Sequence, residues 1–198
     1  GLVARRVDKG DLLAALQPIW RIALCGPAGC AEYAPSEAEV KPSRIKPLPM
    51  FLAATLWHAV SLAWRRKPEW TIAGSGLTAP IAWLAARCAG GRVAVYLHGL
   101  DIVAPSRVYQ WLWLPFIRRC DLVMVNSSST ATLAHSRGLR SDRLHVLHPG
   151  TDLPTLNANA ARDFREHHDF GQRPLLLSVG RLTQRKGLAE FVAKVLPA

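Results

Sequence analysis

At 198 residues the chain has room for one large domain or two small ones, and length alone favours one. Apolar residues at 49% and charged residues at 20% give a globular balance that excludes intrinsic disorder. Lys and Arg number 25 against 14 Asp and Glu, for a net charge of +11. No run of five or six like charges occurs, which excludes a disordered basic arm and leaves a basic surface for nucleic acid, anionic lipid or a phosphorylated small molecule.

Arg6 to Leu16 has helical spacing, and Ile19 to Leu24 reads as a short strand closed by Gly26 and Pro27. A helix ahead of the first strand suggests that something upstream is missing. The chain starts at Gly1 with no secretory signal, and a cytoplasmic protein is expected. Residues 32–47, rich in Pro, Glu and Lys, read as a loop. Leu48 to Trp64 is the most apolar stretch; it contains Pro49 and His58 and falls short of the roughly 20 residues a spanning helix needs. It reads as a buried or interfacial helix running from about Met50 to Arg66.

From Trp70 the pattern is regular. Trp70 to Ala73 is a β-prone run stopped by Gly74-Ser75-Gly76. A helix follows near Pro80, with Ile81, Leu84, Ala85 and Cys88 spaced as one apolar face, and ends at Gly90-Gly91. Arg92 to Leu97 is apolar enough for a central strand of a parallel sheet. Val108 to Arg118 reads as a Trp-rich helix interrupted by Pro115, with Trp111 and Trp113 as an exposed apolar lip. Asp121 to Val125 is a third strand, running into the cap-forming cluster Asn126 to Thr130 and a helix that stops at Gly138. Leu144 to Leu147 is a fourth strand, ending in His148-Pro149-Gly150-Thr151-Asp152. Residues 153–173 are polar and weakly helical around 160–168, as in an interdomain linker. Pro174 to Val179 reads as a further strand, and Gly187 opens a helix with Leu188, Phe191, Val192 and Val195 on one face.

Alternating strands and helices make the class α/β with parallel strands, and ligands of such sheets bind beyond the carboxyl ends of the strands. The last strand end carries Gly180 and Arg181, with Lys186 five residues on. Arg grips phosphate oxygens in a bidentate way and Lys adds a mobile point charge, so the pair suits a diphosphate, although a solvated basic turn has the same composition. His98 leaves a buried strand, beside Gly99 and three residues before Asp101, where it can meet a substrate hydroxyl or a developing charge. Asp101 can instead cap the turn that follows. Ser127 can donate to a sugar or phosphate, or serve as an N-cap. His145 and His148 would point to opposite faces of a strand, which argues against a shared metal. Cys25, Cys30, Cys88 and Cys120 form no C-x-x-C pair and read as reduced thiols, not zinc ligands.

The order of these features is more telling than any one of them. His98-Gly99-Leu100-Asp101, Pro149-Gly150-Thr151-Asp152 and Val179-Gly180-Arg181-Leu182 followed by Lys186-Gly187 resemble the motif series of the retaining GT-B glycosyltransferases called family 4. The resemblance covers about residues 68–198, and the last motif is the most specific. It implies two Rossmann-like domains with parallel sheets: a nearly complete acceptor-side domain over residues 1–153, a linker over 154–173, and from 174 to 198 the start of a nucleotide-sugar-binding domain. The family's diphosphate-holding Arg and Lys map onto Arg181 and Lys186, with Gly180 and Ser127 in the same substrate-binding set. Its sugar-pocket His maps onto His98, with Asp101 beside it as the second catalytic candidate. The resemblance also implies sugar transfer with retention from a nucleoside-diphosphate sugar to a glycan or lipid-linked acceptor. No metal and no cofactor is expected, and the work would be done in the cytoplasm or at the inner face of the membrane.

Two departures bear on activity. The family's opening strand and glycine-rich loop are not seen before Gly1, and its paired glutamates (E-x7-E) are not reached by Ala198. Little or no turnover is therefore expected from these 198 residues alone. A dinucleotide-dependent oxidoreductase is disfavoured because Gly74-Ser75-Gly76 supplies two of three fingerprint glycines, with Ala79 at the third place. The alternative is a non-catalytic or degenerate basic module for membrane or nucleic acid. Nucleic acid is not expected, since the aromatics are not interleaved with basic residues. A peripheral membrane contact through the Leu48–Trp64 helix and Arg65-Arg66-Lys67 is compatible with either reading.

Overall fold

The computed structural model describes residues 21–104, 106–150, 157–180 and 183–196. The helix expected over Arg6 to Leu16 and the start of the first strand at Ile19 lie outside the described residues. The chain divides into two compact units, Gly1–Asp152 and Leu153–Ala198.

The first unit is α/β, and every strand pair described in it is parallel. Strand β1 (Ala23–Pro27) pairs with β2 (Glu39–Ser43), Ala23 lying opposite Glu39 and Pro27 opposite Ser43. Strand β2 falls in the stretch expected to be a loop. Its Pro42 lacks an N–H, but among the described residues β2 pairs on one side only, and an edge strand tolerates that loss.

A four-stranded sheet follows, with β3 (Trp70–Ala73), β4 (Arg92–Leu97), β5 (Leu122–Val125) and β6 (Leu144–Val146) in sequence order. Ala73 lies opposite Val95, Leu97 opposite Val125, and Val125 opposite Val146. Each connection returns the chain to the starting edge, so all four carboxyl ends line one side of the sheet. The register fixes the level at which the next residues emerge: His98 leaves β4 beside the point where Asn126 leaves β5.

The helices are α1 (Leu48–Arg66), α2 (Ala79–Ala89), α3 (Gly99–Val103), α4 (Arg107–Leu112), α5 (Leu114–Arg118) and α6 (Ser128–Ser136). The Trp-rich helix expected over Val108 to Arg118 with an interruption at Pro115 is two helices, and the break falls at Trp113. Pro115 sits in the first turn of α5, where its missing N–H would have had no helical partner. As expected, α2 has Pro80 in its first turn and ends at Gly90 in the left-handed conformation. The neighbouring Gly91 is required by close approach: a β-carbon there would overlap the backbone oxygens of Pro68 and Glu69. That approach lets the Arg92 N–H reach the Glu69 carbonyl at 2.7 Å, which sets the β3–β4 register.

Helix α2 is buried from two sides. Ala79, Ala82 and Ala86 pack with Val93, Val95, Leu97, Val123 and Val125 of the sheet. Ile81 and Ala85 pack with Ala59, Leu62 and Ala63 of α1. The buried arc is therefore rotated from the one expected, and Leu84 and Cys88 face solvent. Alanine at four of these positions lets sheet and helix come close, and each fully buried Val, Leu or Ile around them contributes about 1.5–3 kcal/mol.

In the second unit, α7 (Ala158–His167) is capped by Asn157, whose Oδ1 accepts the Asn159 N–H at 3.0 Å. Arg165 Nη1 donates to the carbonyls of Gly171 and Arg173 at 2.7 and 3.0 Å, tying down the turn after the helix. Gly187, at φ 67°, opens α8 (Leu188–Lys194) as expected. Pro174 to Val179 is not a strand. Leu177 and Val179 are 79% and 87% exposed, and no strand is present among the described residues of this unit to supply a ladder. Apolar character makes a segment strand-prone, but pairing makes it a strand.

Candidate functional site

The carboxyl edge of the four-stranded sheet gathers three of the side chains singled out in the sequence. His98 is the first residue beyond β4, in extended conformation at the N-cap of α3. Its backbone N–H donates to Asp101 Oδ2 at 2.9 Å, and the Asp101 N–H returns a bond to the His98 carbonyl at 2.9 Å. The two residues thus close a rigid turn. The His98 ring is half-buried and packs edge-on against Tyr96, with centroids 5.2 Å apart. The Tyr96 hydroxyl donates to the Leu147 carbonyl at 3.1 Å, which ties the end of β4 to the residue after β6.

Ser127, the second residue beyond β5, caps α6. Its hydroxyl accepts the Thr130 N–H at 3.2 Å and lies 2.9 Å from the Thr130 hydroxyl, which donates to Asn126 Oδ1 at 2.8 Å. A β-carbon on Gly99 would stand 3.7 Å from Thr130 Oγ1, so the starts of α3 and α6 are in contact. His98, Asp101 and Ser127 therefore belong to one neighbourhood, and the polar atoms of Asp101 and Ser127 are both engaged in holding helix starts.

The third wall was not legible in the sequence. After β3 the chain makes a 3₁₀ turn, Gly76–Thr78, and Tyr109 of α4 packs onto it. A β-carbon on Gly76 would overlap the Tyr109 hydroxyl and crowd the Asp101 β-carbon. The Tyr109 ring stacks on Trp113 at 5.8 Å, and Trp113 Nε1–H donates to the Leu77 carbonyl at 2.9 Å. Trp113 is thus tied into the fold, while Trp111 is exposed; only the latter forms the apolar lip that was expected. The Tyr109 hydroxyl is buried without a hydrogen-bond partner among the described residues. Burial, reinforced by the Asp101 carboxylate, raises its pKa above the usual phenol range and keeps it protonated. The protonated Tyr109 hydroxyl is therefore enclosed between Gly76 and Asp101. The signal for it, an aromatic in a Trp-rich segment 33 residues from Gly76, has no local form.

An open cleft of about 450 Å³ lies beyond α4, with Arg107, Trp111 and Arg137 on its walls. Two guanidinium groups beside an exposed indole suit an anionic or sugar ligand.

In the second unit, Gly180 is exposed and Lys186 is exposed at the end of the 3₁₀ turn Gln184–Lys186, its N–H donating to the Thr183 carbonyl at 2.9 Å. Arg181, Thr151 and Asp152 lie outside the described residues. Among the described residues no cluster of three or more His, Cys, Asp or Glu could hold a metal ion, and no helix is long and apolar enough to cross a membrane.

Residues 21–154 match the family model described as Glycosyltransferase Family 4. No curated protein matches the sequence. Among solved structures, the fold resembles Anabaena HepE in complex with UDP-glucose, with TM-score 0.70, 15% identity, and coverage of 96% of this chain and 55% of that one. HepE with UDP and glucose gives TM-score 0.73 at 17% identity over the same shares. The apo form of the lipopolysaccharide outer core galactosyltransferase WaaB gives 0.59 at 12% identity, covering 94% of this chain and 53% of that one. The chain thus spans about half the length of the solved structures it matches, and its α/β architecture is of the GT-B type.

Proposed function

The chain belongs to glycosyltransferase family 4, and we propose that it supplies the acceptor-side domain, and the start of the donor-side domain, of an enzyme that moves a sugar from a nucleoside-diphosphate sugar to a glycan or lipid-linked acceptor with retention. The observation that carries this reading is the turn of His98 and Asp101 at the carboxyl end of a central strand, closed at 2.9 Å and flanked by the ends of β3 and β5. A site of this kind holds a polar ligand at the sheet edge without further backbone rearrangement.

The chemistry follows from the charges. When the bond between sugar and diphosphate breaks, negative charge grows on the departing phosphate and positive charge on the sugar ring. Arg181 and Lys186 neutralise the phosphate, one by a bidentate grip and one as a point charge, and this preorganised charge lowers the barrier. His98, held in place through its own backbone by Asp101, hydrogen-bonds a hydroxyl of the transferring sugar. Ser127 supports the edge through its cap and keeps a hydroxyl near the ligand. In this reading residues 1–153 form the first domain, 154–173 the linker and 174–198 the opening of the second. No metal is assigned to the reaction, and the cytoplasm is the assigned compartment. HepE was solved with UDP-glucose, and a donor of that class is proposed for this chain.

The test is donor turnover by the enzyme that carries this chain, on a panel of UDP-, GDP- and ADP-linked sugars with reverse-phase detection of the released nucleotide. Release from at least one donor, lost in His98→Ala, supports the reading. No release from any donor overturns it.

A further inference from the structure

Helix α1 is apolar on two sides, and among the described residues one of them is buried and the other exposed. Phe51, Thr55, Ala59, Leu62 and Ala63 are buried. On the opposite side Met50, Trp57 and Trp64 are 68%, 72% and 70% exposed. Their spacing is seven residues, and two helical turns of 3.6 bring a side chain back within about 20° of its starting direction. The three side chains therefore form one stripe about 21 Å long. An apolar groove of about 200 Å³, walled by Leu52, Leu56, Pro80, Leu84 and Trp113, runs alongside and widens the patch.

The charge around the stripe is one-sided. Arg44 and Lys46 precede the helix and Arg65, Arg66 and Lys67 close it, all of them exposed. From residue 40 to residue 67 there is no Asp or Glu. Glu39 is the nearest counter-charge, and it is shared by Arg66 at 3.0 Å, Lys41 at 3.6 Å and Arg65 at 3.7 Å. One carboxylate among three cations leaves the surplus positive.

We propose that the Met50–Trp57–Trp64 face of α1, with the cations at both of its ends, docks on an anionic lipid bilayer. Tryptophan suits the boundary between headgroups and acyl chains, where its ring is buried and its N–H stays hydrated. The cations add attraction to acidic headgroups of about fivefold in affinity for each one near the surface. A protein partner would need a complementary acidic rim around a narrow apolar ridge, whereas a bilayer offers both layers along its whole area. The stripe includes none of His98, Asp101 and Ser127, and the proposal stands whether or not the chain transfers sugar.

The experiment is flotation of the chain with vesicles of phosphatidylcholine alone and of phosphatidylcholine mixed with phosphatidylglycerol. Binding is expected to the mixed vesicles and to be at least tenfold weaker to the neutral ones. The double variant Trp57→Ser, Trp64→Ser should lose more than tenfold, and Arg44→Gln with Lys46→Gln should lose a comparable amount while high salt releases the wild type. All four side chains are exposed, so thermal melting should be unchanged and separates lost docking from lost folding. Absence of binding to mixed vesicles overturns the proposal. So does binding that survives the Trp variant, which would reduce it to charge alone. A dimer in sedimentation, dissolved by the Trp variant and blind to lipid, would overturn it in favour of a second copy of the chain.

Discussion

The carboxylate of Asp101 holds the backbone N–H of His98 at 2.9 Å, so the residue that follows the central strand is fixed by the side chain three positions later. This couples stability to site geometry. Asp101→Ala should cost about 1 kcal/mol in urea unfolding, the usual worth of an N-terminal cap contact. In the active enzyme the same change should lower kcat at least tenfold, because His98 loses its anchor. Asp101→Asn keeps an acceptor and should recover most of the stability. Equal stability of all three proteins would remove the coupling.

Gly76 and Tyr109 are fitted to each other, and a β-carbon on one overlaps the hydroxyl of the other. Gly76→Ala should destabilise by about 1–3 kcal/mol, the cost of overpacking. Tyr109→Phe removes a buried hydroxyl without a partner among the described residues and should be neutral or stabilising. Combined, the two changes should cost less than Gly76→Ala alone. A double-mutant cycle in denaturant reads this coupling, and strict additivity would contradict it.

The thiols should separate by exposure. Cys88 is exposed, whereas Cys25, Cys30 and Cys120 are buried. Ellman's reagent at pH 8 should titrate Cys88 at once and the other three after denaturation. Burial, with Asp121 adding to it against the opposing Arg143, moves the Cys120 thiol from 9.0 to about 12. Between those values the folded chain keeps a proton that the unfolded chain has released. The contribution is complete below pH 9 and is lost as pH rises toward 12, so stability should fall over that window. Cys120→Ala should flatten part of the fall. A stability curve level from pH 9 to 11 would contradict the assignment.

Much of the first unit was legible because its signals are local. Strands β3 to β6 are apolar runs stopped by glycine or by cap-forming residues, and Pro80 and Gly90 bracket α2 where they should. Strand β2 was hidden by Pro42 and its charged neighbours, since an edge position is a tertiary fact. Pro174 to Val179 was over-read because an apolar run announces a strand without announcing its partner. The buried arc of α2 was misjudged because a helix held by a sheet and a second helix hides alanines that no amphipathic pattern marks. The rule that strand ends carry ligands points in the sequence to His98, Asp101 and Ser127, which the structure places at the ends of β4 and β5. It does not point to Tyr109, because its meeting with Gly76 depends on how α4 folds back over the 3₁₀ turn.

The most direct test of the account is donor kinetics in the active enzyme with Lys186→Ala, Arg181→Ala and His98→Ala. A charge-assisted contact of the kind proposed for each cation is worth on the order of 1.5–3 kcal/mol, so kcat/KM for the donor should fall tenfold or more in each of the two. His98→Ala should fall by a similar factor. Wild-type kinetics in all three would mean that neither the diphosphate nor the sugar is held where the account places it.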